Sequence, residues 1–319
     1  MGHQKQIVVI VGPTAGGKSD LAIAIAQAFA GEVIGADSMQ VYRYLDAGTA
    51  KPSSEQLAAV PHHLINVVAP TEKWTVADWL QSTEQVIADL HASDRLPVVV
   101  GGTNLYIKAL LQGLFDGPEP DPAYREQFKD VPAHDLHKRL QQVDPASADR
   151  INLNDHKRIV RALEVFDKTG RPISDFQQQW SDDAEPRYRQ NPILIGLRWE
   201  TETINRRINA RVKTMFHPTD GSEDLVTETR RLLDAGLLGP QAREAIGTKQ
   251  VLAHFNRVYS CDEAMEKVKI ETRRFAKAQR TWLKRFRGVQ WLDVDDDTIA
   301  SAANTAVEIV RQRLNVPGG

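Results

Sequence analysis

Short apolar runs alternate with amphipathic segments in the first third of the chain. Residues 7–11, 33–36 and 97–100 are apolar runs of four or five residues with many β-branched side chains, which predict strands buried on both faces of a sheet. Residues 21–29 and 76–90 have apolar positions at helical spacing. This alternation predicts an α/β fold in which helices flank a parallel sheet.

Weaker signals extend this pattern along the rest of the chain. Three more strands are predicted, at 64–68, 193–199 and 291–294. The composition changes near Gly113, where a loop rich in proline begins, and the following residues look helical as far as Tyr188. We therefore predict an inserted all-helical domain at 113–192, with residues 1–112 and 193–319 forming the core that contains the sheet.

Composition excludes several classes of protein. The chain has 319 residues, of which 41% are hydrophobic and 26% charged, as in ordinary globular proteins. No apolar run approaches the roughly 20 residues that cross a bilayer, and the start of the chain lacks the long apolar segment of a signal peptide. The single cysteine, Cys261, excludes an internal disulfide. We expect a cytoplasmic protein with no membrane partner.

Charge is unevenly distributed although its sum is small. The net charge is −2, yet residues 267–287 contain nine Lys or Arg and one acidic residue. At helical spacing these cations form one face, made of Arg273, Lys277, Arg280, Lys284 and Arg287. The opposite face would consist of Val268, Thr272, Phe275, Trp282 and Phe286. Two interpretations stay open: a solvated basic face, or a track for nucleic-acid phosphates.

A phosphate-binding loop follows the first predicted strand. Residues 12–19 match the pattern G-x-x-x-x-G-K-[ST], and a predicted helix comes directly after them. In such a loop, backbone N–H groups and the positive end of the helix bind phosphate oxygens. The predicted diphosphate-binding residues are Gly12, Pro13, Thr14, Ala15, Gly16, Gly17, Lys18 and Ser19. The Ser19 hydroxyl is placed to bind Mg²⁺, which is the expected cofactor.

Two polar residues follow neighbouring predicted strands. Asp37 ends the second strand, and Thr103 follows Gly101-Gly102 after the run at 97–100. Parallel sheets bind ligands at the carboxyl ends of their strands, so both residues should share a crevice with the phosphate loop. From the residues alone, Asp37 is equally well interpreted as a turn former or as the acid of a P-loop kinase.

Eight blocks, in order, resemble the tRNA dimethylallyltransferase family of bacterial type, also called tRNA isopentenyltransferases. The blocks are 12–19, 37–43, 48–52, 61–65, 101–106, 158–165, 245–247 and 278–283. The resemblance extends along nearly the whole chain. It implies a P-loop NTPase-like core with C-terminal basic helices, and an inserted helical domain that binds tRNA.

The resemblance also implies the reaction and its residues. The dimethylallyl group of dimethylallyl diphosphate would move to N6 of the adenine 3′-adjacent to the anticodon. Asp37 would be the general base, with Thr103 beside it and Arg211 on the diphosphate. Contacts to the tRNA anticodon stem-loop would come from Asp37, Ser38, Met39, Gln40, Thr103, Arg125, Lys157, Arg158, Arg161, Gly247, Lys249, Lys277, Arg280 and Lys284. We expect a monomer.

Some positions allow other interpretations. Asn66 and Thr248 stand where aspartate and tyrosine are common in the family, and Thr248 leaves the tRNA contact there open. Arg158 and Arg161 could instead pair with Asp155 or Glu164 on a helix. The adjacent His62 and His63 lack partners for a metal site, so a structural role is favoured.

Two other functions remain to be separated from prenyl transfer. A small-molecule kinase could bind ATP at the same loop and would not need the basic helix. An RNA-binding P-loop protein without chemistry would need the loop and the basic face but not Asp37.

Overall fold

The computed structural model describes residues 6–177 and 188–315, and its centre is a parallel sheet. The strands of the sheet are β1 (Gln6–Val11), β2 (Glu32–Gly35), β3 (His62–His63), β4 (Pro97–Val100), β5 (Asn191–Trp199) and β6 (Gln290–Val294). They lie in the order β3-β2-β4-β1-β5-β6, and each pairing between neighbours is parallel. The predicted α/β fold with a parallel sheet is confirmed.

The central strand shows why the apolar runs were informative. β1 pairs with both β4 and β5, so Ile7 through Val11 are buried against neighbours on both edges and both faces. A strand in this position requires continuous apolar side chains rather than an alternating pattern. The late strand predicted at 291–294 is present as β6, one residue longer.

The third predicted strand was wrong in position. The sequence predicted 64–68, whereas β3 is the pair His62–His63 at the edge of the sheet. Leu64 and Asn66 have φ angles of 60° and 58°, so the backbone leaves the extended region immediately after His63. Val68 forms only an isolated bridge with Tyr42.

The helices belong to two compact units. The first unit, Met1–Leu111 with Tyr188–Gly319, contains the sheet, and the second is Gln112–Arg187. Helices of the first unit are α1 (Lys18–Ala28), α2 (Ser54–Ala59), α3 (Val76–Ala92), α4 (Asn104–Gln112), α10 (Thr201–Phe216), α11 (Leu225–Asp234), α12 (Thr248–Phe255), α13 (Cys261–Leu283) and α14 (Ile299–Leu314). Those of the second are α5 (Pro122–Gln127), α6 (Ala133–Val143), α7 (Pro145–Arg150), α8 (His156–Thr169) and α9 (Ile173–Phe176).

After the inserted domain, the chain returns to the sheet earlier than we predicted. We placed the end of the insertion at residue 192, but β5 begins at Asn191 and pairs with β1 from that residue onward. Residues 188–192 therefore belong to the first unit. The helical character predicted for 178–187 lies outside the described residues.

A large apolar core of the first unit lies between its helices and the sheet. Val8 and Ile10 of β1 pack with Leu21 of α1, Ile208 of α10 and Val268 of α13 in this cluster. Burial of each large apolar side chain contributes about 1.5–3 kcal/mol. This core fixes the positions of the N-terminal end of α1 and of the carboxyl ends of the strands. The candidate site requires both to be fixed.

A buried carboxylate organises the second unit. Glu164 of α8 is 0% exposed and lies beside two guanidinium groups, at 3.0 Å from Arg125 and 2.8 Å from Arg161. It also accepts a hydrogen bond from the N–H of Asp121. Burial raises the pKa of Glu164, but the hydrogen bonds from Asp121, Arg161 and Arg125 outweigh burial and lower it. The carboxylate is therefore ionised and fully engaged in the fold.

Replacing Glu164 with glutamine should destabilise the second unit by about 2–3 kcal/mol. The side-chain amide of Gln places N–H groups against the two guanidiniums, and the ion pairs are lost. Hydrogen exchange of the amides of α5 and α8 measures the opening free energy of this unit by itself. The matched control is Glu126→Gln, which removes an exposed pair with Lys129 and should cost under about 0.5 kcal/mol. Equal effects of the two substitutions would contradict a structural role for Glu164.

Candidate active site

Three loops from adjacent strands line one cavity in the first unit. The phosphate loop follows β1, Asp37 follows β2, and Gly101-Gly102 follow β4. Because β2, β4 and β1 are parallel neighbours, their carboxyl ends meet at the same edge of the sheet. The cavity has a volume of about 520 Å³, within the usual range for ligand sites.

The phosphate loop turns its carbonyl groups toward the protein. Lys18 Nζ donates to the carbonyl of Pro13 at 2.7 Å, and Trp199 Nε1 donates to that of Gly16 at 3.2 Å. Arg207 Nε donates to the carbonyl of Ala15 at 3.0 Å, and its guanidinium lies 4.6 Å from the Trp199 ring centroid. With these carbonyls engaged, the N-terminal end of α1 can direct its free N–H groups at an anion.

Lys18 carries a perturbed charge. Desolvation and the neighbouring Arg211 lower the pKa of its ammonium to about 8, and the negative charge of Asp37 offsets only part of this effect. A bound anion would reverse the balance, because an opposite charge favours the ammonium. The site is therefore short of negative charge.

Arg211 lies at the same cavity, as the family resemblance implied. Its Nη1 donates to Thr14 Oγ1 at 3.0 Å, and its Nη2 donates to the carbonyl of Thr49 at 3.5 Å. Burial lowers the pKa of Arg211, and Asp37 raises it. Its Nε is buried without a hydrogen-bond partner. A guanidinium with an unused donor beside a phosphate loop is suited to bind diphosphate.

Asp37 begins a hydrogen-bonded turn, and Thr103 of the loop after β4 bonds to Ser38 in that turn. Asp37 Oδ1 accepts from the N–H of Met39 at 2.9 Å and of Gln40 at 3.3 Å. Thr103 Oγ1 accepts from the N–H of Ser38 at 2.9 Å and donates to Ser38 Oγ at 3.3 Å. The interpretation of Asp37 as a turn former is therefore confirmed: one carboxylate oxygen forms the turn, and the residue also lines the cavity.

Close backbone contact explains the Gly101-Gly102 pair. A Cβ on Gly101 would lie 2.1 Å from the carbonyl oxygen of Ala36, so no other residue fits. The N–H of Ala36 donates to Val100 O at 2.7 Å, and the N–H of Thr103 donates to Ala36 O at 3.1 Å. The loops after β2 and β4 are thereby joined directly.

The segment at 46–52 closes the cavity from another side. Glu228 of α11, which is buried, accepts from the N–H of Asp46 at 2.7 Å and of Ala47 at 2.8 Å. Gln40 Nε2 donates to the carbonyls of Thr49 and Ala50. The amide of Gln40 is therefore used inside the protein, and Met39 packs in an apolar cluster.

Asn66 has a clear local role. Its side-chain oxygen accepts from Lys51 Nζ at 2.5 Å, and Lys51 also pairs with Asp46 at 2.7 Å. The φ of Asn66 is 58°, a conformation that Asn adopts more readily than most residues. Because Asn66 is neutral where aspartate is common, its contact with Lys51 is a hydrogen bond and not an ion pair.

The basic helix is present, but one of its predicted faces was wrong. Lys277 on α13 and Lys284, directly after its last residue, are exposed. Arg280 donates to Thr201 Oγ1, and Arg273 donates to Asn209 Oδ1. Phe275, which we placed on the apolar face, is 38% exposed and lines the cavity. The stripe that packs inward contains Ala264, Val268, Ala276, Gln279 and Leu283. Phe275 lies one position before Ala276, which rotates its side chain away from the core.

The basic residues predicted in the second unit divide into two groups. Lys157 and Arg158 are exposed on α8, and Arg158 pairs with Asp155 at 3.4 Å. Arg125 and Arg161 both pair with the buried Glu164. The alternative of ion pairing is therefore present for Arg158 and Arg161, and Lys157 and Arg158 present their charge at the surface.

The block at 245–250 shows which of its residues reach the surface. Gly247 is the residue before α12, with φ 104°, and Lys249 is exposed and pairs with Glu244 at 2.7 Å. Thr248 is buried near Gly48 and Leu225. The departure from tyrosine at 248 therefore falls on an interior position.

Of the two adjacent histidines, one is structural and the other lines the cavity. His63 Nε2 lies 2.6 Å from Glu32, which also pairs with Arg95. His62 Nδ1 lies 2.8 Å from the carbonyl of Val60, and burial lowers the pKa of His62.

Metal binding would depend on the ligand rather than on a protein cage. Within residues 6–177 and 188–315, His, Cys, Asp and Glu side chains form no group of three that could hold a metal ion. Ser19, which carries the hydroxyl, lines the cavity next to Lys18. Mg²⁺ commonly binds phosphate oxygens and water with few protein oxygens, so this arrangement fits it.

Three residues of the site were missed from the sequence. Trp199 and Arg207 support the phosphate loop, and Gln279 bonds to two loops of the site. Arg207 precedes Arg211 by four residues, a spacing that places both on one helical face. Gln279 is a polar residue in an otherwise apolar stripe, which is the signal that could have identified it.

Comparison with known proteins shows the family of the chain. The IPP transferase family model matches residues 40–286, and the isopentenyl transferase model matches residues 5–67. The chain belongs to the IPP transferase family. Members of this family therefore provide the reference for the arrangement of the loops described above.

Similar proteins cover nearly the whole chain. A tRNA dimethylallyltransferase from Geobacter sulfurreducens is 44% identical over 309 residues, covering 95% of this chain and 97% of that protein. tRNA dimethylallyltransferase 1 from Citrifermentans bemidjiense is 44% identical over 289 residues, covering 90% and 92%.

Solved structures of family members have the same fold. The full-length tRNA isopentenylpyrophosphate transferase of Bacillus halodurans aligns with a TM-score of 0.70 at 34% identity, covering 98% of this chain and 99% of that one. A eukaryotic dimethylallyltransferase acting on tRNA aligns with a TM-score of 0.78 at 26% identity, covering 98% and 80%. The P-loop NTPase-like fold is thus confirmed.

Every helix in the described part of the chain is too short or too polar to cross a membrane.

Binding of an organic diphosphate such as dimethylallyl diphosphate should take up a proton near pH 8, because the anion raises the pKa of Lys18 from about 8. Affinity should then fall as the pH rises above about 8, approaching a tenfold loss per pH unit. Calorimetry in two buffers of different ionisation enthalpy measures the uptake. Lys18→Met is the control and should show neither uptake nor this pH dependence. A constant affinity from pH 7 to pH 9.5 would contradict the assignment.

Proposed function

We propose that the protein transfers the dimethylallyl group of dimethylallyl diphosphate to N6 of the adenine 3′-adjacent to the anticodon in tRNA, and releases diphosphate. The observation that carries the proposal is one cavity lined by the phosphate loop, Lys18, Arg211 and Asp37. The names of the similar proteins support the same reaction and neither of the two other functions considered.

The cations of the cavity would stabilise the leaving group. As the C–O bond of the donor breaks, its electron pair and the developing charge move onto the diphosphate. Lys18, Arg211 and the start of α1 line the same cavity, so they would stabilise this charge without rearranging during the reaction. No phosphoryl group is transferred, so the loop serves departure of diphosphate only.

Asp37 would accept the proton. The N6 amine of adenine is a weak nucleophile, and its N–H becomes acidic as nitrogen forms the bond to carbon. Asp37 Oδ1 is used by the turn at 37–40, which leaves Oδ2 for the proton. Thr103, in the loop after β4, accepts a hydrogen bond from the N–H of Ser38 in that turn and would orient the base.

Magnesium would be held by the Ser19 hydroxyl together with diphosphate oxygens and water. Its contribution when bound is to neutralise part of the diphosphate charge. Binding of the donor would therefore remain measurable, although weaker, in its absence.

The tRNA would be held mainly by exposed cations. Lys277 on α13, Lys284 directly after it, and Lys157 and Arg158 on α8 are exposed members of the predicted set. Lys249 and Arg125 are also exposed, but they pair with Glu244 and Glu164. Contacts of this kind bind the phosphate backbone, and the target adenine must leave its stack to reach the cavity. We extend the proposal to a monomer acting in the cytoplasm.

Asp37→Asn should separate chemistry from binding. Asparagine keeps an oxygen for the N–H groups of Met39 and Gln40, but it cannot accept the proton. We expect kcat to fall by about 10²–10⁴-fold, while the Kd for tRNA stays within about twofold of wild type. The assay combines unmodified tRNA, Mg²⁺ and labelled dimethylallyl diphosphate.

The same assay, repeated with labelled ATP, distinguishes the other functions. Phosphate transfer from ATP without prenyl transfer would indicate a kinase, and tRNA binding without either label transfer would indicate a non-catalytic protein. Loss of tRNA affinity equal to the loss of kcat would reassign Asp37 to binding.

Removing two charges from α13 should flatten the salt dependence of tRNA binding. Each phosphate contact contributes about 0.7–0.9 to the slope of log K against log salt concentration, so Lys277→Gln with Lys284→Gln should reduce the slope by roughly 1.5. Arg280 is left in place because it contacts Thr201.

The control for this measurement is Lys73→Gln with Lys213→Gln. It removes the same charge from exposed positions outside the proposed tRNA contacts. An identical slope in the two double variants would favour the interpretation of α13 as a merely solvated basic face.

A further inference from the structure

A glutamine lies within the inward-facing stripe of the basic helix. Gln279 of α13 is 1% exposed, and the other members of its stripe are small or apolar. Burying an amide without partners costs free energy, so a glutamine at such a position requires both a donor and an acceptor contact. Gln279 makes both, and each contact is to a loop of the candidate site.

The two contacts connect loops that follow different strands. Gln279 Oε1 accepts from the N–H of Thr14 in the phosphate loop at 2.8 Å, and Nε2 donates to the carbonyl of Gly102 after β4 at 2.8 Å. The backbone fixes the orientation of the amide, because an N–H can only donate and a carbonyl can only accept. One side-chain amide therefore sets the distance between these loops.

The fit at Gly102 is close. A Cβ on Gly102 would lie 2.3 Å from Gln279 Nε2, so the side chain approaches the backbone as far as glycine allows. Thr103 is the next residue, and Asn104 Nδ2 donates to the backbone carbonyl of Gln279 at 3.4 Å. Both chain neighbours of Thr103, Gly102 and Asn104, are thus hydrogen-bonded to Gln279, so the position of Thr103 depends on it.

The contact at Thr14 extends to the diphosphate side of the cavity. The N–H of Thr14 is bonded to Gln279, and Thr14 Oγ1 accepts from Arg211. Through Thr14, Gln279 is therefore connected to Arg211, the group proposed to bind the leaving diphosphate. Through Gly102 it is connected to the loop beside Asp37. It lines the cavity but is not positioned to exchange a proton, since both of its polar atoms are engaged.

We propose that Gln279 is a positioning residue for the transfer reaction, which fixes the separation between the donor-binding loop and the Gly102-Thr103 loop. The inference rests on the proposed function and adds a residue to it. A displacement of about 1 Å between reacting groups can cost about 10²-fold in rate, so the two hydrogen bonds matter beyond their effect on stability.

Gln279→Met tests the proposal by removing both hydrogen bonds at similar volume. We expect kcat for prenyl transfer to fall about 10²-fold, with KM for tRNA within about twofold of wild type. Val268→Ala is the control, because Val268 lies in the same stripe three turns earlier and its apolar side chain cannot form a hydrogen bond to either loop. It should lower thermal stability comparably and leave kcat and both KM values unchanged.

Gln279→Glu provides a readout that loss of stability alone would not produce. A protonated carboxyl group can donate to Gly102 O and accept from the N–H of Thr14, as the amide does. An ionised carboxylate instead repels the Gly102 carbonyl. The activity of this variant relative to wild type should therefore rise severalfold as the pH falls from 8 to 6, measured well below its melting temperature.

The outcomes separate this inference from the proposed function. A wild-type enzyme that is active, with Gln279→Met as active as Val268→Ala and a flat pH ratio for Gln279→Glu, would overturn the positioning role alone. A wild-type protein that transfers no prenyl group would overturn the proposed function. In that case calorimetry with dimethylallyl diphosphate still tests the inference, since Gln279→Met should weaken donor binding at least threefold and Val268→Ala should not.

Discussion

The site depends on the pairing of β4 with β1 on one edge and β2 on the other. This pairing places the loops after three strands side by side, and the contact between Gly101 and Ala36 brings two of them to the limit of backbone approach. Any side chain at Gly101 would separate Asp37 from the loop that carries Thr103. The register of the sheet and the absence of a Cβ at Gly101 therefore determine how close the loop with Asp37 lies to the loop with Thr103.

Electrostatic imbalance follows from this arrangement. Lys18 and Arg211 are held in one desolvated cavity with Asp37 as the opposing charge, and the pKa of Lys18 drops to about 8 as a result. Such a site is costly to the free protein and favourable to a ligand that brings negative charge. A diphosphate supplies that charge, and its departure as a dianion or trianion benefits from the same cations.

The structure also distinguishes positive charge that maintains the fold from charge available to a partner. Arg125 and Arg161 neutralise the buried Glu164, whereas Lys157, Lys277 and Lys284 remain exposed. A count of basic residues along the chain does not separate these groups, because it does not show which cations pair with a carboxylate, as Arg125 does with Glu164 across 39 residues. The tRNA surface proposed here is consequently smaller than the predicted one.

Local sequence determined the elements whose side chains carry their own signal. The run at 7–11 and the glycine pattern at 12–19 each specify a conformation by themselves, and the buried strand and phosphate loop were predicted correctly. The edge strand at His62–His63 was missed, since a two-residue strand has no periodicity and Leu64 reverses φ. Only the tertiary structure revealed the outward turn of Phe275 and the contacts of Gln279 with Thr14 and Gly102, because these depend on how α13 packs against loops up to 265 residues away.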